Sequence, residues 1–121
     1  MRVYEFYFGI IVKFDDIIHT FKQITKQSSF DYNDYNNSNF FDKYIPDSEI
    51  IEIRDDNTTY SVIIGISAFT VVGTSVVGSF NLQSEKYENL YDKMVKTSSA
   101  ECKKHLFCKY TNPSFHIYFE E

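Results

Sequence analysis

Arginine, proline, glycine, cysteine and tryptophan are scarce or absent in this chain of 121 residues, and the shortages limit what the protein can be. Only two of the 12 basic residues are arginine, and the formal net charge is −5. The acidity is concentrated in residues 27–57, which hold eight acidic side chains against two basic ones. Because phosphate backbones are bound by clustered basic side chains, the sequence predicts a protein that does not bind nucleic acid.

The two cysteines, Cys102 and Cys108, lie six positions apart in a stretch with helical character. A helix rises roughly 9 Å over that spacing, which is beyond the reach of a disulfide. Reduced thiols are the rule inside cells. The sequence therefore predicts an intracellular, cytoplasmic protein.

Charged residues are missing from Tyr60–Phe80, a run of 21 residues rich in Val and Ile. Its length is that of a membrane-spanning helix. Its three glycines and its many β-branched side chains instead favour buried strands, and no basic cluster flanks the run to orient a span. We therefore expect strands here and no contact with a membrane.

Residues with A/T-rich codons are in excess: Phe, Ile, Lys, Asn, Tyr and Asp make up 62 of the 121 residues. Genome composition thus explains much of the aromatic and Asn content, which loses its value as a sign of stacking or sugar binding. The composition resembles that of uncharacterised small proteins of amoeba-infecting giant DNA viruses, although A/T-rich protists and bacteria share the bias. This resemblance implies an accessory protein of the infected-cell cytoplasm or of the virion.

The hydrophobic pattern predicts one α+β domain over residues 1–121. Strands are indicated by apolar alternation at period two in residues 3–14, 49–54, 58–67 and 114–120. Helical periodicity predicts one helix capped by Asp15 or Asp16 and a second beginning at Ser84. The resulting order is that of a ferredoxin-like βαββαβ fold, an antiparallel sheet with two helices on one face.

Residues 28–47 are rich in Asn, Asp and Ser and show no stable period. Such a segment is long for a connection in a compact domain. We expect an acidic insertion that is free to move, pinned to the core by the aromatic residues near its end, and dispensable for folding.

The tightest chemical cluster is Cys102-x-x-His105-x-x-Cys108, with His116 further on. Thiolate and imidazole are zinc ligands, which makes these four residues candidates for a metal site. On a helix, however, Cys102, His105 and Cys108 would point in different directions. The sequence predicts no metal, and it shows no complete phosphate loop or other cofactor motif.

The functional prediction is a non-enzymatic module that self-associates, most simply as a homodimer. Helices on one side of a four-stranded sheet leave the other side open, and a monomer rarely exposes a large apolar patch. The alternation places four residues on that open side: Tyr7, Ile11, Ile63 and Tyr118. The alternative is a small-molecule-binding protein or modest enzyme with a pocket between sheet and helix, using His116 or Tyr118.

Overall fold

The computed structural model describes residues 2–55, 59–73 and 84–120. The four strands are β1 (Arg2–Lys13), β2 (Glu49–Asp55), β3 (Thr59–Gly73) and β4 (Ser114–Glu120). The α-helices are α1 (Phe14–Thr25), α2 (Tyr32–Asn37), α3 (Phe40–Tyr44), α4 (Ser84–Thr97) and α5 (Ala100–Cys102). A π-helix, Lys103–Phe107, continues directly from α5.

The strands form one sheet in the order β2-β3-β1-β4, and all neighbouring strands are antiparallel. The first strand therefore lies inside the sheet, between β3 and β4. The predicted α+β class and antiparallel sheet are confirmed. The plain βαββαβ order is not matched, because three helices separate β1 from β2 and the connection from β3 to β4 contains α4, α5 and the π-helix.

The core lies between the sheet and the helices. Alternate residues of β1 and β3 point to this side and are at most 9% exposed: Phe8, Ile10, Val12, Val62, Ile64 and Ile66. Facing them are buried residues of the helices, among them Ile17 and Phe21 of α1, Met94 of α4 and Leu106 of the π-helix. The period-two stripe of β1 thus marked the core correctly.

Most of the uncharged run Tyr60–Phe80 is strand, as expected: its residues up to Gly73 belong to β3. The remainder of the run lies outside the described residues. None of the helices in the described ranges is long and apolar enough to cross a membrane.

Helix α1 begins two residues earlier than a cap at Asp15 would allow, and three earlier than a cap at Asp16. Its N-cap is Lys13, which makes no side-chain capping bond, so Asp15 and Asp16 lie in the first turn. Carboxylates there interact favourably with the helix dipole. The C-cap of the helix is Lys26, which has a left-handed backbone conformation (φ 55°) and whose amide donates a hydrogen bond to the Lys22 carbonyl.

The acidic segment 28–47 contains two short helices. Asp31 caps α2 by accepting hydrogen bonds from the amides of Asn33 and Asp34. Tyr35, on α2, is 8% exposed and its ring contacts Phe14 and Phe21 edge-on, with ring centroids 5.6 Å apart in both pairs. The segment is therefore packed on α1 by an aromatic ring in its middle as well as at its end.

In the connection from β3 to β4, the helix is interrupted between α4 and α5, where the sequence is rich in Thr and Ser. Helix α4 stops at Thr97, and the Ser99 hydroxyl accepts a hydrogen bond from the Cys102 amide to cap α5. The Ser99 amide also donates to the Tyr44 carbonyl at 2.8 Å, which ties this break to the end of α3. The wider turn of the π-helix then brings Leu106 and Phe107 into the core.

Candidate functional site

The outer face is the side of the sheet opposite the helices, and we define it by the register. One row across it consists of Ile51, Ile63 and Ile11, and the next row contains Gly65 and Gly9. A third row contains Ser67, Tyr7 and His116. Tyr7 and Ile63 are buried yet lie outside the main core cluster, which separates this face from the helix side.

All four residues of the predicted interface lie on the outer face, but they differ in accessibility. Ile11 is 44% exposed and Tyr118 is half-buried. Tyr7 and Ile63 are only 7% and 4% exposed within a single chain. A partner would therefore bury additional area on Ile11 and Tyr118, whereas Tyr7 and Ile63 are already covered within the single chain.

Tyr7 is held in one orientation. Its hydroxyl donates a hydrogen bond of 2.7 Å to a carboxylate oxygen of Glu5, two positions back on the same strand. Burial raises the pKa of Tyr7, and the negative charges of Glu5 and Glu49 raise it further. The hydroxyl therefore stays protonated at physiological pH and has no role as a base.

Two glycines face each other at the middle of the outer face. Gly9 pairs with Gly65, and a Cβ atom added to Gly9 would lie 2.5 Å from the Gly65 Cα and against the Ile64 carbonyl oxygen. Carbon atoms in favourable contact are about 3.5–4.0 Å apart. Strands β1 and β3 thus approach too closely here for any side chain.

His116 belongs to a cleft beside the outer face. The cleft has a volume of about 290 Å³, and it is lined by residues from the β1 edge and from the chain that enters β4: Ile10, Ile11, Lys109, Tyr110, Thr111, Asn112, Ser114 and His116. Tyr118, the other residue of the alternative prediction, is not part of its lining.

The hydrogen bonds of His116 do not suit it to activate Ser114 as a nucleophile. Its Nε2 lies 3.1 Å from the Gly9 carbonyl oxygen and 3.5 Å from the Ser114 hydroxyl. Since a carbonyl oxygen only accepts hydrogen bonds, Nε2 carries the proton in this arrangement and cannot take one from Ser114. Activation of a serine nucleophile requires the opposite protonation.

The Cys/His candidates do not converge. Cys102 is buried, Cys108 is exposed, and His105 instead faces Glu101, with 3.1 Å between Nε2 and the carboxylate oxygen. His116 lies on the outer face, across the sheet from the π-helix. No group of three or more His, Cys, Asp or Glu side chains within the described ranges is arranged to hold a metal ion.

Burial raises the pKa of the Cys102 thiol above its ordinary value, and only part of this effect is offset by a hydrogen bond with Ser99. A thiol of this kind is a poor nucleophile, because the thiolate is the reactive form. Cys102 is therefore a packing residue beneath α1, and the exposed Cys108 is the accessible thiol.

One polar cluster was not anticipated from the sequence. Asp16 accepts hydrogen bonds from the Tyr110 hydroxyl and from the Lys109 ammonium group, the latter at 2.9 Å. The Lys13 amide donates to the same Tyr110 oxygen at 3.1 Å. This latch joins the start of α1 to the chain that enters β4.

The electrostatics of the latch favour ionised Asp16. Partial burial tends to raise the pKa of Asp16, but the hydrogen bonds from Tyr110 and Lys109 and the Lys109 charge outweigh it, so the pKa lies below its ordinary value.

A second unanticipated contact, between the His19 and His105 rings at 4.9 Å, joins α1 to the π-helix. The residues in these contacts are 86 to 97 positions apart in the sequence, so no local pattern could have indicated either contact.

The described residues bring together no group of three or more side chains that could hold a metal ion. Their accessible features are an outer face on which the isoleucine row lies among polar residues such as Glu49, Ser67 and Thr70, a shallow cleft at His116, and the edge strand β4. Comparison with protein-family models, with curated proteins and with solved structures finds no match to this chain.

Proposed function

We propose that the protein is a non-enzymatic module that self-associates through the outer face of its sheet. The observation that carries this proposal is Ile11, which is 44% exposed at the end of the isoleucine row, on the face away from the helices. Ile51 and Ile63 continue the apolar row across β2 and β3. An apolar row on a strand surface gains free energy in proportion to the area that a partner removes from water.

Further apolar side chains extend this surface. Ile53 and Val3 are half-buried and Val72 is 56% exposed, all on the outer face by register and alternation. A second copy of the chain is the occupant that needs no other component, since a twofold axis buries the same patch on both partners. Burial of about 800 Å² per subunit would be an ordinary stable interface.

The test is the substitution Ile11→Asp, followed by sedimentation at micromolar concentration. We expect the Ile11→Asp variant to remain folded and to sediment at half the mass of the wild-type protein, whose single chain has a mass of 14.3 kDa. Ile63→Asp is a poorer choice, because Ile63 is already 4% exposed and a buried charge would unfold the chain whether or not it dimerises.

Leu90→Asp is the matched control, because Leu90 on α4 is also 44% exposed but lies away from the outer face. It should leave the sedimenting mass unchanged. A wild-type protein that sediments as a monomer at these concentrations would refute the proposal.

The cleft at His116 favours a second candidate function, the binding of a small polar ligand. Its lining combines the hydroxyls of Thr111 and Ser114 with the Asn112 amide and the apolar side chain of Ile11, and ligand pockets of about this volume are common. Chemical-shift changes at Thr111 and Asn112 on addition of a polar ligand library, in a protein that sediments as a monomer, would place this function ahead of self-association.

We also propose two finer assignments, one of fold family and one of origin. The sheet order β2-β3-β1-β4, with every neighbour antiparallel and the helices on one face, supports a ferredoxin-like classification with an enlarged first crossover. The A/T-biased composition supports a viral accessory or virion protein, and such an origin would be tested by detecting the protein in purified virions.

A further inference from the structure

Strand β4 is an end strand of the sheet. Among the described residues it pairs only with β1, through a continuous register from Val3 opposite Glu120 to Gly9 opposite Ser114. In an antiparallel pair, alternate residues direct their backbone N–H and C=O groups toward the neighbouring strand. The other residues direct theirs to the opposite edge.

Two contacts establish which residues of β4 have outward groups. The Lys13 amide donates to Tyr110, on the β4 side of β1, and the closest approach of Gly9 to Gly65 marks a narrow, non-hydrogen-bonded pair with β3. The odd-numbered residues of β1 therefore direct their backbone N–H and C=O groups toward β4, and their partners there are residues 114, 116, 118 and 120. The backbone groups of Phe115, Ile117 and Phe119 consequently point outward, away from the sheet.

Among the described residues, β4 carries only one of the usual protective devices of an edge strand, the charged residue Glu120 at its end. Proteins commonly protect an exposed edge with lysine, proline, a bulge or a very short strand. Residues 114–120 contain no lysine and no proline, the strand has seven residues, and its register with β1 is unbroken. Ile117, at its centre, is 59% exposed, the highest value among the large hydrophobic side chains of the described residues.

We propose that β4 pairs antiparallel with β4 of a second copy, about a twofold axis at Ile117, to give a continuous eight-stranded sheet. Ile117 then lies opposite Ile117 of the partner subunit, and Phe115 lies opposite Phe119 of the partner subunit. The three outward residues on each strand form six backbone hydrogen bonds. This surface is separate from the outer face, and its use does not depend on the outer-face proposal.

The second copy is favoured over a strand from another protein by the symmetry of the segment. Pairing about residue 117 uses the full strand, with residue 114 opposite residue 120. The single charged residue of β4, Glu120, therefore never lies opposite another Glu120. At the centre Ile117 meets its own copy, and β-branched residues of this kind are enriched in strands.

Proline scanning of β4 tests the edge directly. Ile117→Pro removes an outward N–H without breaking the ladder to β1, so the protein should remain folded and lose the edge contact. Ile117→Val is the matched control and should behave as wild type. Both are made in the Ile11→Asp protein, so that the outer face does not contribute; we expect a fall from twice 14.3 kDa to 14.3 kDa for the proline variant alone.

Charge pairing tests the position of the axis. Ile117→Asp and Ile117→Lys should each be monomeric in the same Ile11→Asp background, because like charges meet at the twofold axis. Mixing the two should restore a dimer. Failure of the mixture to associate, while the parent dimerises, would refute pairing centred on Ile117.

Amide hydrogen exchange separates this edge from every other interface. The amides of Phe115, Ile117 and Phe119 should become protected as protein concentration rises, whereas those of His116 and Tyr118, which bond to β1, should be protected at all concentrations. Fast exchange at the outward amides in a sample that sediments as a dimer would overturn the edge proposal and leave the outer-face proposal standing.

Discussion

The close contact between Gly9 and Gly65 gives a prediction whose sign depends on the structure. In an ordinary strand without positive φ, replacing glycine by alanine stabilises a protein by about 0.4–1 kcal/mol, because the unfolded chain loses freedom. Neither glycine has a positive φ. At Gly9, however, the new methyl group would lie 2.5 Å from the Gly65 Cα and against the Ile64 carbonyl.

The magnitude follows from what must move. Contact carbons require about 3.5 Å, so β1 and β3 would have to separate by roughly 1 Å at a point where both are hydrogen-bonded on either side. Overpacking that the structure cannot relieve costs about 1–3 kcal/mol, and the obstruction here is backbone, so we expect about 3 kcal/mol. For a chain of 121 residues this lowers Tm by roughly 10 °C.

Thermal unfolding followed by circular dichroism measures this effect. Ser67→Ala is the control, because Ser67 is an exposed residue of β3 on the same face, and its Tm should move by about 2 °C at most. A Gly9→Ala protein with an unchanged or higher Tm would show that the two strands are not in close contact at this point. The pairing of Gly9 with Gly65, which defines one row of the outer face, would then be wrong.

Three further predictions concern the latch, the acidic segment and the thiols. Because the pKa of Asp16 is lower in the folded state than in the unfolded state, ionised Asp16 stabilises the protein above the unfolded-state pKa of about 3.9, and this stabilisation is lost as the pH falls through the folded-state pKa. Asp16→Asn should therefore lower Tm at pH 7. On acidification to pH 2, the Tm of this variant should fall by less than the Tm of the wild-type protein. Tyr35→Ala should lower the free energy of unfolding by about 3 kcal/mol, since the Tyr35 ring is buried against α1. Replacement of residues 31–39 by a Gly/Ser link should also destabilise the protein, although the composition of the segment predicts that it is dispensable for folding. An unchanged Tm in a thermal melt would show that the segment is dispensable. Native alkylation followed by mass spectrometry should modify Cys108 and leave Cys102 unmodified, with both reacting after denaturation, and equal rates would contradict the burial of Cys102.

The elements with a strong hydrophobic period could be predicted from the sequence. Alternation along β1 identified Phe8, Ile10 and Val12 as core, and the structure buries all three. The helices of the acidic segment could not be predicted in this way, because Asn, Asp and Ser have weak helix propensity. They form where Tyr35 and Phe40 find aromatic partners on α1, a tertiary contact that no local window contains.

Orientation at the candidate site was predictable, whereas exposure was not. The alternation placed Tyr7 and Ile11 on the same face, and the register agrees. It could not distinguish their exposures of 7% and 44%, which depend on neighbouring strands and on the bond between Tyr7 and Glu5. The edge at Ile117 was also missed, because an edge exists only once the strand order is known.

The central position of β1 has a consequence for how the chain folds during synthesis. β1 leaves the ribosome first, but Val3 pairs with Glu120, 117 positions later, and Arg2 pairs with Gly73. At about 5–20 residues per second, Glu120 is added roughly 6–23 seconds after Val3. Until β3 has been made, β1, which is rich in aromatic side chains, has both edges unpaired, and the edge that faces β4 stays unpaired for the whole interval. Pairings so distant in sequence form slowly. We therefore expect the nascent chain to depend on chaperones that hold extended apolar segments until the sheet can close.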